Sequence, residues 1–156
     1  GHDFFVGLFN QVRYVAAALF VTGVFLLVIE RFEKEGELKI KHSALMGLVQ
    51  GIAIIPGISR SGATVGSALI AGANREDAAK FSFMLAVPAI IGAAVFEYVS
   101  SDMVVSLTLP LLAGTLAAMI VGYLSLKLFL KIILSKRLWM FGVYCIAVSL
   151  ILITII

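Results

Sequence analysis

Charge is scarce in this 156-residue chain: 13% of its residues are Asp, Glu, Lys or Arg, against 62% that are hydrophobic. Soluble domains run nearer a quarter charged and half apolar, so too little polar surface exists here to coat a core in water. That shortage excludes a water-soluble enzyme, a disordered chain and a nucleic-acid-binding domain. Cysteine is scarcer still. The single Cys145 lies within an apolar run and has no second cysteine with which to form an internal disulfide. A basic leader is missing too: the chain opens Gly1, His2, Asp3 rather than Met followed by a positive stretch, so no secretory signal is recognisable. The opening suggests an excised piece, with a natural start and an expression scar as the alternatives that the letters leave open.

What the chain does have is apolar length. About 20 mostly apolar residues in a helix cross a hydrocarbon core of roughly 30 Å, and the spans expected are 14–29, 81–99, 109–130 and 138–156. The first is slightly short, and Pro88 interrupts the second at a place where a membrane bundle tolerates a kink. Within the third, Gly114, Ala117, Ala118 and Gly122 fall at three- and four-residue spacings and predict a small-residue face for close helix packing. Trp139 and Tyr144 suit an interfacial start to the fourth. The fold class is therefore all-α, a polytopic membrane protein with four transmembrane helices.

Residues 43–73 are of another kind. Their apolar stretches, 44–55 and 65–73, are too short to cross, and the break between them reads Pro56, Gly57, Ile58, Ser59, Arg60, Ser61, Gly62, Ala63, Thr64. Two half-helices joined by a polar, glycine-rich turn predict a re-entrant hairpin. Irregular backbone survives at membrane depth only where protein buries it or it lines a wet cavity, so the turn is expected to face a site.

Charge placement sets the orientation. Arg31, Lys34, Lys39 and Lys41 lie before the hairpin, Arg75 and Lys80 after it, and Lys127, Lys131, Lys136 and Arg137 around the last turn, whereas 100–108 has no basic residue. If the hairpin returns to its own side, all three basic regions share one face, which the positive-inside rule makes cytoplasmic. Asp102 and Ile156 then face outward.

Arg60 demands a partner, because an Arg at the centre of a membrane helix costs on the order of 2.5 to 3.5 kcal/mol on insertion scales. One account pairs it with Glu30 or Glu76, which bracket the hairpin from the loops. The neighbours favour an anion instead. Ser59, Ser61 and Thr64 bring hydroxyls, Gly57 and Gly62 permit close backbone approach, and the turn opens a half-helix whose free N–H groups attract negative charge. A guanidinium grips two phosphate oxygens at once. Any one hydroxyl could merely cap the helix, but the group reads as a phosphate cradle. Other groups are weaker candidates: His2 at the terminus, His42 on the basic linker, Glu97 near the outer end of a span, and Glu33, Glu35 and Glu37 in a solvated linker.

The run from Gly47 to Thr64, G-L-V-Q-G-I-A-I-I-P-G-I-S-R-S-G-A-T, closely resembles the second signature of the undecaprenyl-diphosphate phosphatase family of bacitracin-resistance membrane proteins, and Phe81-Ser82-Phe83-Met84-Leu85-Ala86-Val87-Pro88 is similar to the sequence that follows it. The resemblance covers essentially the whole chain but only the family's C-terminal part. It implies two inverted repeats, each with a re-entrant hairpin and three spans. Residues 14–29 would be the last span of the first repeat and 43–156 the second repeat, within a single membrane domain 1–156. The Glu-rich motif of the family's first hairpin has no match here, and Gln50 stands where that hairpin's first glutamate would be, as a site-lining amide.

The activity implied is removal of the terminal phosphate from undecaprenyl or another polyprenyl diphosphate, recycling the carrier lipid for cell-envelope synthesis. Arg60 and Ser59 would be the catalytic residues of this chain, with Ser61, Thr64, Gly57 and Gly62 binding phosphate. A divalent cation, Mg or Ca, would take its ligands from the absent N-terminal half and none from this chain, which alone is expected to be inactive. The implied partners are the diphosphate lipid, the membrane, the missing repeat and a second copy in a homodimer, with no nucleic acid. The implied place is the bacterial plasma membrane or its archaeal equivalent, with the site open to the outer face. Inverted repeats with broken helices also build transporters, so a lipid-phosphate or anion transporter with a midplane site is the rival reading.

Overall fold

The apolar runs fold as helices throughout. The computed structural model describes residues 2–32, 36–100 and 108–155. The order is α1 (His2–Ile29), α2 (Ile40–Ile52), α3 (Arg60–Ile70), α4 (Arg75–Ser100), α5 (Leu109–Leu134) and α6 (Leu138–Ile155). Lys34 with Glu33 and Glu35, residues 101–107 with Asp102, Ile156 and the side chain of His2 lie outside the described residues. Among those described, the one extended feature is an isolated bridge between Gly36 and Ala73.

Four helices are long and apolar enough to cross a membrane, over Val12–Ile29, Arg75–Ser100, Leu109–Leu134 and Leu138–Ile155. The chain is a multi-pass membrane protein. Two starts differ from those expected. α1 begins well before residue 14 because no proline stops the apolar sequence upstream. α4 begins at Arg75 because Asn74 caps it: the Asn74 side-chain oxygen accepts the Asp77 N–H at 2.9 Å, and its amide donates to the Asp77 carboxylate at 2.7 Å. Pro88 sits inside α4 without ending it.

The core lies at one end of the bundle. Ile29, Met46, Val65, Ala68, Leu69, Ala73, Ala78, Ala79, Ile133 and Leu138 come together there, where α1, α3 and α5 end and α4 and α6 begin. Basic residues 75, 80, 131, 136 and 137 flank that same end. Away from it α4 and α5 run uncovered, with every residue from 109 to 128 exposed.

The expected small-residue face of α5 accordingly has nothing against it among the described residues. A Cβ added at Gly114 or Gly122 would meet no atom within 4 Å. Close packing occurs instead between α1 and α6, where a Cβ on Gly23 would stand 2.6 Å from Ile146 and 2.8 Å from the Gly142 carbonyl. The Ser149 hydroxyl donates across the same seam to the Ala16 carbonyl at 2.7 Å. Small residues and a buried hydroxyl bring backbones together where hydrophobicity gives helices no preference for each other over lipid.

Candidate functional site

The two short helices α2 and α3 pack side by side and are joined by residues 53–59. The break is shorter than the sequence implied. Arg60 through Thr64 belong to α3 rather than to the loop, because Ser59 caps the helix: its Oγ accepts the Gly62 N–H at 3.2 Å while its carbonyl accepts the Ala63 N–H at 2.8 Å. The amides of Arg60 and Ser61 keep no partner among the described residues, which leaves the positive end of α3 open at the turn.

Thr22 on α1 secures that turn. Its hydroxyl donates to the Gly57 carbonyl at 3.2 Å and accepts the Ser59 N–H at 3.3 Å. Gly57 has φ +95°, and a Cβ there would stand 2.5 Å from the Val15 carbonyl, so both backbone conformation and space require glycine.

Successive helical residues point about 100° apart, a consequence of 3.6 residues per turn, and the polar run fans out accordingly. Arg60 lines a cavity of about 460 Å³ with Gly47, Gln50, Gly51, Ala53, Ile54 and Ala89. Ser61 lines one of about 500 Å³, between α4, α5 and α6, with Phe83, Phe129 and Phe141 among its walls. Ser59 and Gly62 border a third, of about 130 Å³, beside Leu26, Tyr144 and Cys145.

Thr64 turns inward. It is 1% exposed, donates to the Arg60 carbonyl at 2.9 Å and bonds the Ser82 hydroxyl at 2.6 Å. Its single proton serves the hairpin, and the Ser82 contact ties α3 to α4. The three hydroxyls are thus not gathered around the guanidinium. Arg60 shares its cavity with Gln50 instead.

Gln50 is held by its amide, which donates to the Leu85 carbonyl at 3.3 Å. That carbonyl lies one turn before Pro88, and the bond fixes which side of the amide carries oxygen. The Gln50 Oε1 atom is buried and has no partner among the described residues.

Among the described residues the Arg60 guanidinium has neither an ion pair nor a hydrogen bond. The acids that could have neutralised it are engaged elsewhere. Glu30 faces Arg75 at 3.5 Å in a largely buried pair, and Glu76 holds Lys80 at 2.6 Å on the surface of α4. Arg75, counted above with the cytoplasmic charges, is 8% exposed. His42 is no linker residue: it lies in the first turn of α2, 4% exposed, where its Nδ1 accepts the Lys39 N–H at 3.0 Å. Glu97 is exposed on the last turns of α4. No three His, Cys, Asp or Glu side chains come together among the described residues, and the groups around Arg60 include no carboxylate. These residues do not by themselves fit a divalent cation.

The model of the bacitracin resistance protein BacA family matches residues 1–151. The chain belongs to that family. Curated relatives named undecaprenyl-diphosphatase include one from Methanobrevibacter smithii, 43% identical over 92% of this chain and 54% of its own length. One from Treponema denticola is 38% identical over 90% of this chain and 54% of its own length. A third, from Methanothermobacter thermautotrophicus, is 37% identical over 95% of this chain and 86% of its own length. The chain thus spans about half the length of the first two.

Three members of the site escaped the sequence reading. Thr22, Ser82 and the Leu85 carbonyl all act through contacts across helices. A hydroxyl inside an otherwise apolar span was the visible signal for Thr22; its partners, 35 and 37 residues away, had none.

Proposed function

We propose that this chain grips the diphosphate of undecaprenyl diphosphate, or of another polyprenyl diphosphate, while the terminal phosphate is hydrolysed away to leave the lipid monophosphate. The observation that carries the reading is Arg60: a guanidinium on a short helix between apolar walls, beside two unpaired amides, with no acid of the described chain to neutralise it. A phosphate group suits both kinds of donor, a guanidinium and open helix-start amides. Phosphoryl transfer is governed by positioning and charge stabilisation, and Arg60 supplies both to the transferring group.

The roles follow the placement. Arg60 holds phosphate oxygens, Ser59 fixes the helix start from which Arg60 projects, and Gln50 offers Oε1 to an O–H in the same cavity. Ser61 lines the aromatic cavity, the side that would take a prenyl chain. Gly57 and Gly62 keep the backbone close. Thr64 supports the hairpin from behind. The acid–base groups and any divalent-cation ligands come from outside this chain, from the preceding repeat that the family resemblance implies. In this reading α2 and α3 form a re-entrant hairpin, the basic core end is cytoplasmic and the Arg60 cavity opens outward. Two copies associate as a homodimer.

The test is release of inorganic phosphate from undecaprenyl diphosphate by the complete protein that carries this chain, with and without a chelator, beside the purified 156-residue chain. Chelator-sensitive release by the complete protein, and none by the 156-residue chain, is expected. Transbilayer movement of a lipid phosphate without hydrolysis would favour transport, and release by the 156-residue chain would contradict the shared site.

A further inference from the structure

We infer that Thr22 is the positioning residue that aims Arg60 at the phosphate. The inference rests on the reading of Arg60 as an anion-binding group and adds to it a residue on a different span. Thr22 is 5% exposed in the middle of the apolar span Val12–Ile29 of α1. Its hydroxyl has one proton and two lone pairs. The proton goes to the Gly57 carbonyl at 3.2 Å, and a lone pair takes the Ser59 N–H at 3.3 Å. One side chain therefore fixes both flanks of Ile58, the last loop residue before the cap of α3.

What Thr22 grips is the origin of the catalytic arm. The Ser59 backbone sets the first turn of α3, and Arg60 is its first residue. Rotation of the Ser59 peptide swings the Arg60 Cα, and a long side chain enlarges that displacement at the guanidinium. Bidentate recognition of two phosphate oxygens is sensitive to such shifts, because both N–H donors must align.

The post is itself rigid. One residue along, Gly23 lies against the Gly142 carbonyl, and Ser149 bonds Ala16 two turns earlier, so α6 braces α1 along the same stretch that carries Thr22. Gly57 packs on Val15 and Ala18 of the same helix. A rigid span thus holds a loop whose own internal hydrogen bonds are few, among them Ile55 N–H to Ile52 and Ile58 N–H to Ile55.

Valine matches threonine in shape and lacks the oxygen, so Thr22→Val removes the two bonds and leaves packing intact; Thr22→Ser keeps the oxygen. The complete protein carrying this chain is purified in detergent with each variant. Three quantities are measured per folded molecule, beside the melting temperature: kcat and KM for phosphate release from undecaprenyl diphosphate, and affinity for inorganic pyrophosphate by calorimetry. Thr22→Val is expected to lower kcat/KM about tenfold and to weaken pyrophosphate binding by a similar factor. Thr22→Ser is expected to stay within about twofold of wild type in both.

A purely structural hydroxyl would lower the melting temperature of Thr22→Val and leave kcat, KM and pyrophosphate affinity per folded molecule unchanged; that result overturns the inference. Equal damage from Val and Ser overturns it as well, as does a wild-type protein that binds no pyrophosphate. Pyrophosphate binding that depends on Thr22 in a protein that hydrolyses nothing would uphold the positioning role and remove the phosphatase reading alone.

Discussion

Helices α3 and α5 make opposite use of their residues. α3 has 11 residues with Arg, three hydroxyls and two glycines, and seven of those residues are buried; α5 has 26 mostly apolar residues and buries only Ile133. In water the assignment would be reversed. In lipid the surrounding tails are as apolar as leucine, so an apolar helix gains nothing from burial, whereas a helix with a charge and open amides must be enclosed by protein. Inside a membrane chain, polarity and small residues mark the interior, and that is where the candidate site lies.

The largest effect that could break this contrast comes from the buried pair beside α3. Glu30→Gln leaves Arg75 without its counter-charge at 8% exposure, and removing one partner of a buried pair costs about 3 to 5 kcal/mol. A large drop in the melting temperature of the detergent-purified protein is expected. The double variant Glu30→Leu, Arg75→Met should recover most of it, since the buried desolvation cost disappears with the charges. A single variant as stable as wild type would show that this end is wetter than its packing indicates.

A smaller effect sharpens the comparison directly. A side chain on Gly66 of α3 would collide with Ile29 and Phe25 of α1, so Gly66→Leu should cost about 3 kcal/mol, at the upper end of ordinary overpacking. Gly122→Leu on α5 meets open space and should change stability by less than about 0.5 kcal/mol, as surface substitutions do. Thermal unfolding of both variants in the same detergent is the measurement. Equal destabilisation would mean that α5 is covered in the folded protein.

How much of this was legible beforehand divides along the same line. Hydropathy gave the existence of all four spans and the two short helices between them, because a 20-residue apolar run admits few alternatives. Element starts were harder. Asn74 begins α4 before its apolar run, and Ser59 draws Arg60 into α3, since a cap acts on hydrogen bonds that hydropathy does not register.

The site was legible as a composition and not as an arrangement. Arg60, Ser59, Ser61 and Gln50 stand out as polar residues in an apolar chain. Their division among three cavities is a matter of helical phase, which a list of residue types leaves out. Thr64 illustrates the point: its proximity to Arg60 in sequence suggested a shared ligand, and one helical turn places it on the inner face against Ser82. The small-residue pattern on α5 has no partner among the described residues, for a related reason. Spacing shows that a close approach is feasible, and the approach that forms is set by the partner, here Gly23 against Gly142.

The central claim is that Arg60 works as a fork on phosphate and not as half of an ion pair. The direct measurement is phosphate release per folded molecule for Arg60→Lys, Arg60→Ala and Ser61→Ala in the complete protein, with the melting temperature of each. Lysine keeps the charge and loses the planar pair of donors, so Arg60→Lys is expected to fall nearly as far as Arg60→Ala, with both melting temperatures near wild type. Ser61→Ala should be milder, because water replaces one hydroxyl at a cost of about 1 kcal/mol. Near wild-type turnover for Arg60→Lys would contradict the fork, and unchanged turnover for Arg60→Ala would remove Arg60 from the site.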